Sequence, residues 1–409
     1  MSLDLARIAL LAIALHAAGA RADDPAAPLF SFRGFGTLGI AHSSDDQADF
    51  TSSPAKPYGA GFSHAWSAEL DSLIAGQVSA RLGPRFSAVL QVVSEQNYEH
   101  SYRPHVEWAN VKYQVTPDFD VRFGRTVLPG LMLSDSRKVG YSNPWVRPPV
   151  EVYGSIPVTS NDGIDAAYRM PMGNATNTFQ LTVGRTDSKF PGATSEARQL
   201  AVFVDTFEHG PATARLAFGR ARITLPALDP LFDGFRQFGP EGAAIADKYA
   251  VDNSLVNFFG VGASYDPGRW FLMGEWVGID GHAILGKKSA WYASGGYRFG
   301  KVTPYATYSR AKAEGLSDPG LTLSALPPEL AGPATGLNAA LNATLQAKVV
   351  QSTISLGARW DFRKDTALKL QFDHIRVGAG SSGTFSNLQP GREAGARVDL
   401  FSATIDFVF

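Results

Sequence analysis

Gly34-Phe35-Gly36-Thr37-Leu38-Gly39 matches the dinucleotide fingerprint GxGxxG letter for letter. That chemistry needs a strand before the glycines and a helix opening at their end, so that a pyrophosphate rests on the helix N-terminus. Here the glycines lie inside an alternating apolar stretch, and the turn-forming run Ser43-Ser44-Asp45-Asp46 follows. They read instead as strand glycines that allow bending or close packing. The histidines (His16, His42, His64, His100, His105, His209, His282 and His374) include no i, i+4 pair and no HExxH. His100 and His105 with Glu99 come nearest to a ligand set, but they sit in a polar connection. The chain has no Cys, which excludes thiolate metal ligation, disulfides and cysteine catalysis, and no GxSxG marks a nucleophile elbow. The sequence therefore predicts no enzyme, no cofactor and no metal.

Charge and composition narrow the classes further. Thirty-seven Lys+Arg against 38 Asp+Glu leave a formal charge of -1, which gives no basic field to hold nucleic acid. With 44% hydrophobic, 11% aromatic and only 18% charged residues, disorder is a poor reading. Residues 1–22 read as a secretory signal. Arg7 precedes the apolar run from Ile8 to Leu15, and Ala20-Arg21-Ala22 supplies the small-x-small cleavage pattern, with Ala18-Gly19-Ala20 as a second site. The run is far short of the ~20 residues of a spanning helix. Beyond it no stretch approaches ~18 consecutive apolar residues.

The elements that must position any site come from the period of the apolar residues. From Trp66 to Leu82 the even positions are apolar or small (Trp66, Ala68, Leu70, Ile74, Val78, Ala80), and the odd ones include Glu69, Asp71, Gln77 and Arg81. That is period 2, a strand pattern. It recurs to the end of the chain, punctuated by tight turns such as Gly83-Pro84, Thr116-Pro117-Asp118, Gly173-Asn174, His209-Gly210-Pro211 and Asp266-Pro267-Gly268. The predicted strands are 30–42, 62–82, 85–94, 105–115, 118–126, 162–170, 177–186, 198–208, 212–223, 254–265, 269–279, 288–299, 301–312, 347–362, 366–377 and 396–409. Short turns alternate strictly with longer connections over 43–61, 95–104, 127–161, 187–197, 224–253, 280–287, 313–346 and 378–395. The segment 319–347 is the least strand-like. Its run from Leu337 to Gln346 has spacing compatible with a short helix, in a loop packed over the mouth or at a subunit contact.

Alternation also suits a soluble sandwich, so other features decide. Many strands run ten residues or more, near the 9–11 that cross a bilayer at a tilt. Phe86, Tyr113, Phe119, Trp270, Phe299, Trp360, Phe362 and Phe409 collect beside the short turns, as an interfacial girdle would. A sheet in lipid has to close, since an open edge leaves backbone groups unpaired. The expected fold is all-β: one closed antiparallel transmembrane barrel of sixteen strands over 23–409, its polar face lining water.

Phe401, Ala403, Ile405, Phe407 and Phe409 form one apolar face against Ser402, Thr404 and Asp406, and the sequence ends on Phe409. Such a strand resembles the assembly signal of bacterial outer-membrane barrels. With the leader, the strand number and the long third connection, the chain resembles a porin of Gram-negative bacteria. The resemblance implies a water-filled channel for passive diffusion of small hydrophilic solutes and ions. It also implies a homotrimer in outer-membrane lipid, engagement of the barrel assembly machinery through the Phe409 strand, and 127–161 folding inward as the constriction loop. That loop's acids, Asp135 and Glu151, would face a basic wall of Arg33 and Arg122, with Arg81 and Lys112 as further candidates. Asp120 and Arg169 on the wall, and Arg137, Lys138 and Arg147 on the loop, complete the constriction candidates. Three basic residues against two acids on the loop argue against strong cation preference. The alternative is a substrate-selective channel for a small organic anion, a sugar or an aromatic acid.

Overall fold

The computed structural model describes residues 29–392 and 395–409. The leader expected over 1–22 lies outside the described residues. Sixteen strands form the barrel: β1 (Phe30–Ser43), β2 (Leu73–Arg81), β3 (Phe86–Glu95), β4 (His105–Thr116), β5 (Phe119–Val127), β6 (Ser160–Met172), β7 (Ala175–Phe190) and β8 (Ala193–His209), followed by β9 (Ala212–Thr224), β10 (Ser254–Tyr265), β11 (Trp270–Gly281), β12 (Lys287–Tyr297), β13 (Val302–Ala313), β14 (Gln351–Arg363), β15 (Thr366–Val377) and β16 (Arg397–Val408). Each is antiparallel to its chain neighbour, and β1 closes the sheet on β16 from Phe35↔Val408 to Ser43↔Leu400. Closure pairs the backbone groups that an open edge would leave without partners.

The two faces are inverted relative to a water-soluble protein. Along β13, Val302, Pro304, Ala306, Tyr308 and Arg310 are exposed, while Thr303, Tyr305, Thr307, Ser309 and Ala311 are buried. Leu181, Phe203, Phe259, Trp276, Leu356 and Phe372 stand exposed on the outer wall, whereas Asp165, Glu275, Lys369, Asp373 and Asp406 are buried inside. A contiguous apolar exterior of this extent is stable only against lipid or a partner. Aromatic rings meet near the short turns, Phe86 with Tyr113 at 4.7 Å, Tyr265 with Trp270 at 5.3 Å and Trp360 with Phe362 at 5.5 Å. No helix among the described residues is long and apolar enough to cross a membrane.

Three expectations need correction. The stretch 62–82 is not one strand, because pairing stops after Trp66–Ser67 and resumes at Leu73. Between them Ser72 Oγ donates to the Ala68 carbonyl at 2.6 Å, closing a turn that buries Leu70. The connection 187–197 shrinks to Pro191-Gly192, since β7 and β8 stay paired up to Phe190↔Ala193. Strict alternation of short and long connections therefore fails there. The connection 224–253 carries helices α2 (Asp229–Arg236) and α3 (Gly239–Tyr249), with α1 being the single turn Val150–Tyr153 of the third loop. A helix does form in the 319–347 segment, but as the longer α4 (Pro328–Gln346). Phe232, Phe235, Ile245, Leu341 and Leu345 join α2–α4 in a separate apolar cluster.

Gly124, Gly163 and Gly184 sit side by side in register on β5, β6 and β7. A Cβ on Gly163 would fall 2.0 Å from the Val183 carbonyl oxygen, so the backbones approach only because the side chain is missing. Gly163→Ala has to part β6 from β7 and is expected to cost about 1–3 kcal/mol. The urea midpoint of the vesicle-folded protein measures this. Gly76→Ala, whose methyl meets nothing within 4 Å, is the control expected to stay near wild type.

Candidate functional site: the bore and its inward loop

The long connection after β5 is pinched at its neck, where Leu128 N donates to the Thr159 carbonyl at 3.0 Å. From there it runs into the barrel. Leu131, Trp145, Val152 and Tyr153 pack on Phe271, Val277, Tyr292 and Tyr305, which belong to β11, β12 and β13. On the other side Val139 packs against Phe35, Ala75 and Val93 of β1–β3. The loop thus spans the bore from wall to wall, as the prolines and aromatics in its sequence suggest for a stiff segment.

Polar anchors fix it at each landing point. Arg147 reaches Asp71 with Nε at 2.8 Å and an Nη at 2.6 Å, Asp373 at 3.2 Å and Ser402 Oγ at 2.7 Å. Lys138 Nζ donates to Glu95 at 2.6 Å and Glu107 at 2.8 Å. Burial alone would pull the Lys138 ammonium below its ordinary pKa, but the two carboxylates outweigh that and hold it above. Glu151 accepts from Ser309 Oγ at 2.7 Å, Gln351 Nε2 at 2.7 Å and Thr353 Oγ1. Arg137 donates inward to its own loop, to the carbonyls of Tyr153 and Ile156. The wall answers with donors of its own. Arg359 and Lys369 reach the carbonyls of Tyr141 and Gly140 at 2.5 and 2.7 Å, and the Trp145 indole donates to Ser294 and Thr307, both at 2.9 Å. Glu275 takes Met132 N at 2.7 Å and the Tyr153 hydroxyl at 2.9 Å.

The constriction candidates therefore sort into three groups. Arg137, Lys138, Arg147 and Glu151 are engaged in holding the loop, and Glu151 faces hydroxyls and an amide on β13 and β14 rather than a basic wall. Lys112 pairs with Asp120 at 3.0 Å, and Arg122 with Asp165 at 2.6 Å. Arg33, Arg81, Arg169 and Asp135 are exposed and make no ion pair among the described residues. A chamber of about 640 Å³ remains beside the loop, with Asp71, Glu95, Glu107, Arg137, Lys138 and Asn161 on its walls.

Sequence reasoning missed Glu107 and Glu95 as loop anchors. Between Gln91↔Trp108 and Val92↔Val106 the register shifts, so Glu107 is the extra residue of a β-bulge and turns inward against strict alternation. The histidine group expected to be a poor metal site has His100 on Glu69 at 2.9 Å and His105 on Glu107 at 3.2 Å. Among the described residues no three such side chains converge as a metal would need.

No known protein family matches the sequence, and no curated protein matches it. The fold is similar to solved structures. OmpF of Salmonella typhi in complex with daunomycin superposes with a TM-score of 0.55 at 12% identity, covering 93% of this chain and 97% of that one. The anion-selective porin from Comamonas acidovorans gives 0.54 at 13% identity over 93% and 99%. The outer-membrane channel DcaP of Acinetobacter baumannii gives 0.54 at 10% identity over 96% and 100%. The chain has an outer-membrane porin-type fold.

Proposed function

We propose that this protein is a porin of the bacterial outer membrane, exported by its N-terminal leader and assembled as a homotrimer, that lets small hydrophilic solutes and ions diffuse passively. The observation that carries the reading is the inverted wall: an apolar exterior around a charged, hydrogen-bonding interior crossed by a fastened loop. Buried charges on a solid core would be very costly, whereas the interior of a sixteen-stranded barrel is wide enough to hold water. Among the constriction candidates without an ion pair, Arg33, Arg81 and Arg169 outnumber Asp135, and on that balance we assign a modest preference for anions.

The test is purified protein in a planar bilayer under a salt gradient. Ohmic steps are expected, grouped in threes, with a reversal potential of the sign for anion preference. Absence of steps from correctly folded protein would overturn the channel reading. A cation-selective reversal would overturn the charge assignment only. The second reading, a channel selective for a small organic acid, is favoured by a chamber at the mouth.

A further inference from the structure

We propose that the mouth of the channel carries a weak, saturable binding site for small organic acids, with the anionic group held by Lys288 and an apolar body lodged in the adjoining chamber. The inference rests on the channel reading, since it names the solute class that such a channel would take up.

A cavity of about 780 Å³ lies between the outer side of the inward loop, the first and last long connections and the β11–β13 wall. That is ample for a ring-sized acid. Its barrel wall is apolar, with Val277, Ile279, Ala290 and Ala311 carrying no polar side-chain atom, and Tyr58 and Phe385 add ring surface from the connections. Polar side chains also line it, but the hydroxyls of Thr51, Ser52, Ser155, Thr384 and Ser386 already donate to protein acceptors, which leaves few free donors for a sugar.

The charged residues on the cavity fall into two kinds. Lys56 and Glu151 are satisfied by the protein. Lys56 Nζ donates to the Leu70 carbonyl at 2.8 Å, and both Glu151 oxygens accept from the β13 and β14 side chains described above. Lys288 is exposed to the cavity and has neither a hydrogen bond nor an ion pair among the described residues, whereas Lys312 shares the outward parity of Tyr308 and Arg310 on β13. Lys288 stands opposite Ile279 on β11 and Ala313 on β13, two residues from the buried Ala290, so it shares the inward face. An ammonium without a carboxylate partner, beside apolar walls that weaken solvent screening, makes a strong charge-assisted bond to a carboxylate. The remainder of such a ligand then gains by leaving water. A cation or a neutral polar solute gains neither term.

Benzoate titrated into the full chain in detergent micelles, followed by saturation-transfer NMR, tests this. A saturable signal is expected, with benzamide, its neutral isostere, giving none. Lys288→Gln is expected to weaken binding about tenfold or more, while Lys288→Arg retains it, and Lys364→Gln, in a short turn at the far end of the barrel, matches wild type. Equal binding of benzamide, or unchanged affinity in a folded Lys288→Gln, would overturn the proposal. Channels in the bilayer without benzoate binding would sink this inference alone. Benzoate binding without channels would sink the porin reading instead.

Discussion

Arg147→Met is expected to release the inward loop while the barrel stays closed, giving larger and noisier unitary currents than wild type. The guanidinium is the only cation reaching both Asp71 and Asp373 among the described residues, and the side chains of all three are 5–7% exposed. Removing it leaves two carboxylates facing each other away from water, a loss of about 3–5 kcal/mol when one partner of a buried pair is deleted. The sheet ladder contributes nothing to this anchor. The penalty therefore falls on the loop's attachment, and the remaining anchors at Lys138, Trp145 and Glu151 hold only parts of it. Adding Asp71→Asn and Asp373→Asn to Arg147→Met should quieten the currents again, because the stranded charges are gone. Bilayer recordings of the variants make the comparison, and a quiet, wild-type trace from Arg147→Met would show that Arg147 is not an essential fastening.

Leu356→Arg and Gln77→Arg are expected to behave in opposite ways although both add one arginine to a strand. Leu356 lies midway along β14 with 55% of its surface exposed on the apolar wall. Arginine at the midplane of a lipid-facing wall costs about 2–4 kcal/mol. Gln77 is on the inner face, opposite Arg33 on β1 and Gln91 on β3, and its amide bonds Gln91 and Ser79 rather than a buried charge. A cation there is solvated by the lumen, so folding into vesicles should be nearly unchanged while the reversal potential moves towards anions. Equilibrium folding in lipid vesicles reads the first effect and a salt-gradient recording the second. Equal destabilisation by the two would contradict the assignment of faces.

Much of this molecule is written in a period of two. Strand number, closure and which side of each strand is apolar follow from alternation, because a lipid exterior and a wet interior place the same demand on every strand. The failures occur where a local event breaks the period. Glu107 turned inward through a bulge that no single strand's pattern reveals, since a bulge is a relation between β3 and β4. The β7–β8 hairpin ran through 187–197 because alternation continued at low hydrophobicity beyond the apolar band, where polar residues read as loop. Helices α2 and α3 bury Phe232, Phe235 and Ile245 against α4, a partnership of two distant connections. The loop's charges were legible as residues but not as roles. Arg147 and Glu151 differ from Asp135 only in having wall partners, and those partners lie up to 255 residues away in the chain.

The native sequence lacks Cys, so a single introduced thiol reports on one position with no background. The most direct measurement is a cysteine scan along β4 in liposomes, from Ala109 to Val115, with a membrane-impermeant charged thiol reagent and a lipid-soluble maleimide. Asn110, Lys112 and Gln114 are predicted to react with the charged reagent, and Ala109, Val111 and Val115 with the lipid-soluble one, in strict alternation. Labelling of both faces by the charged reagent, or the opposite alternation, would contradict an apolar exterior wrapped around an aqueous bore.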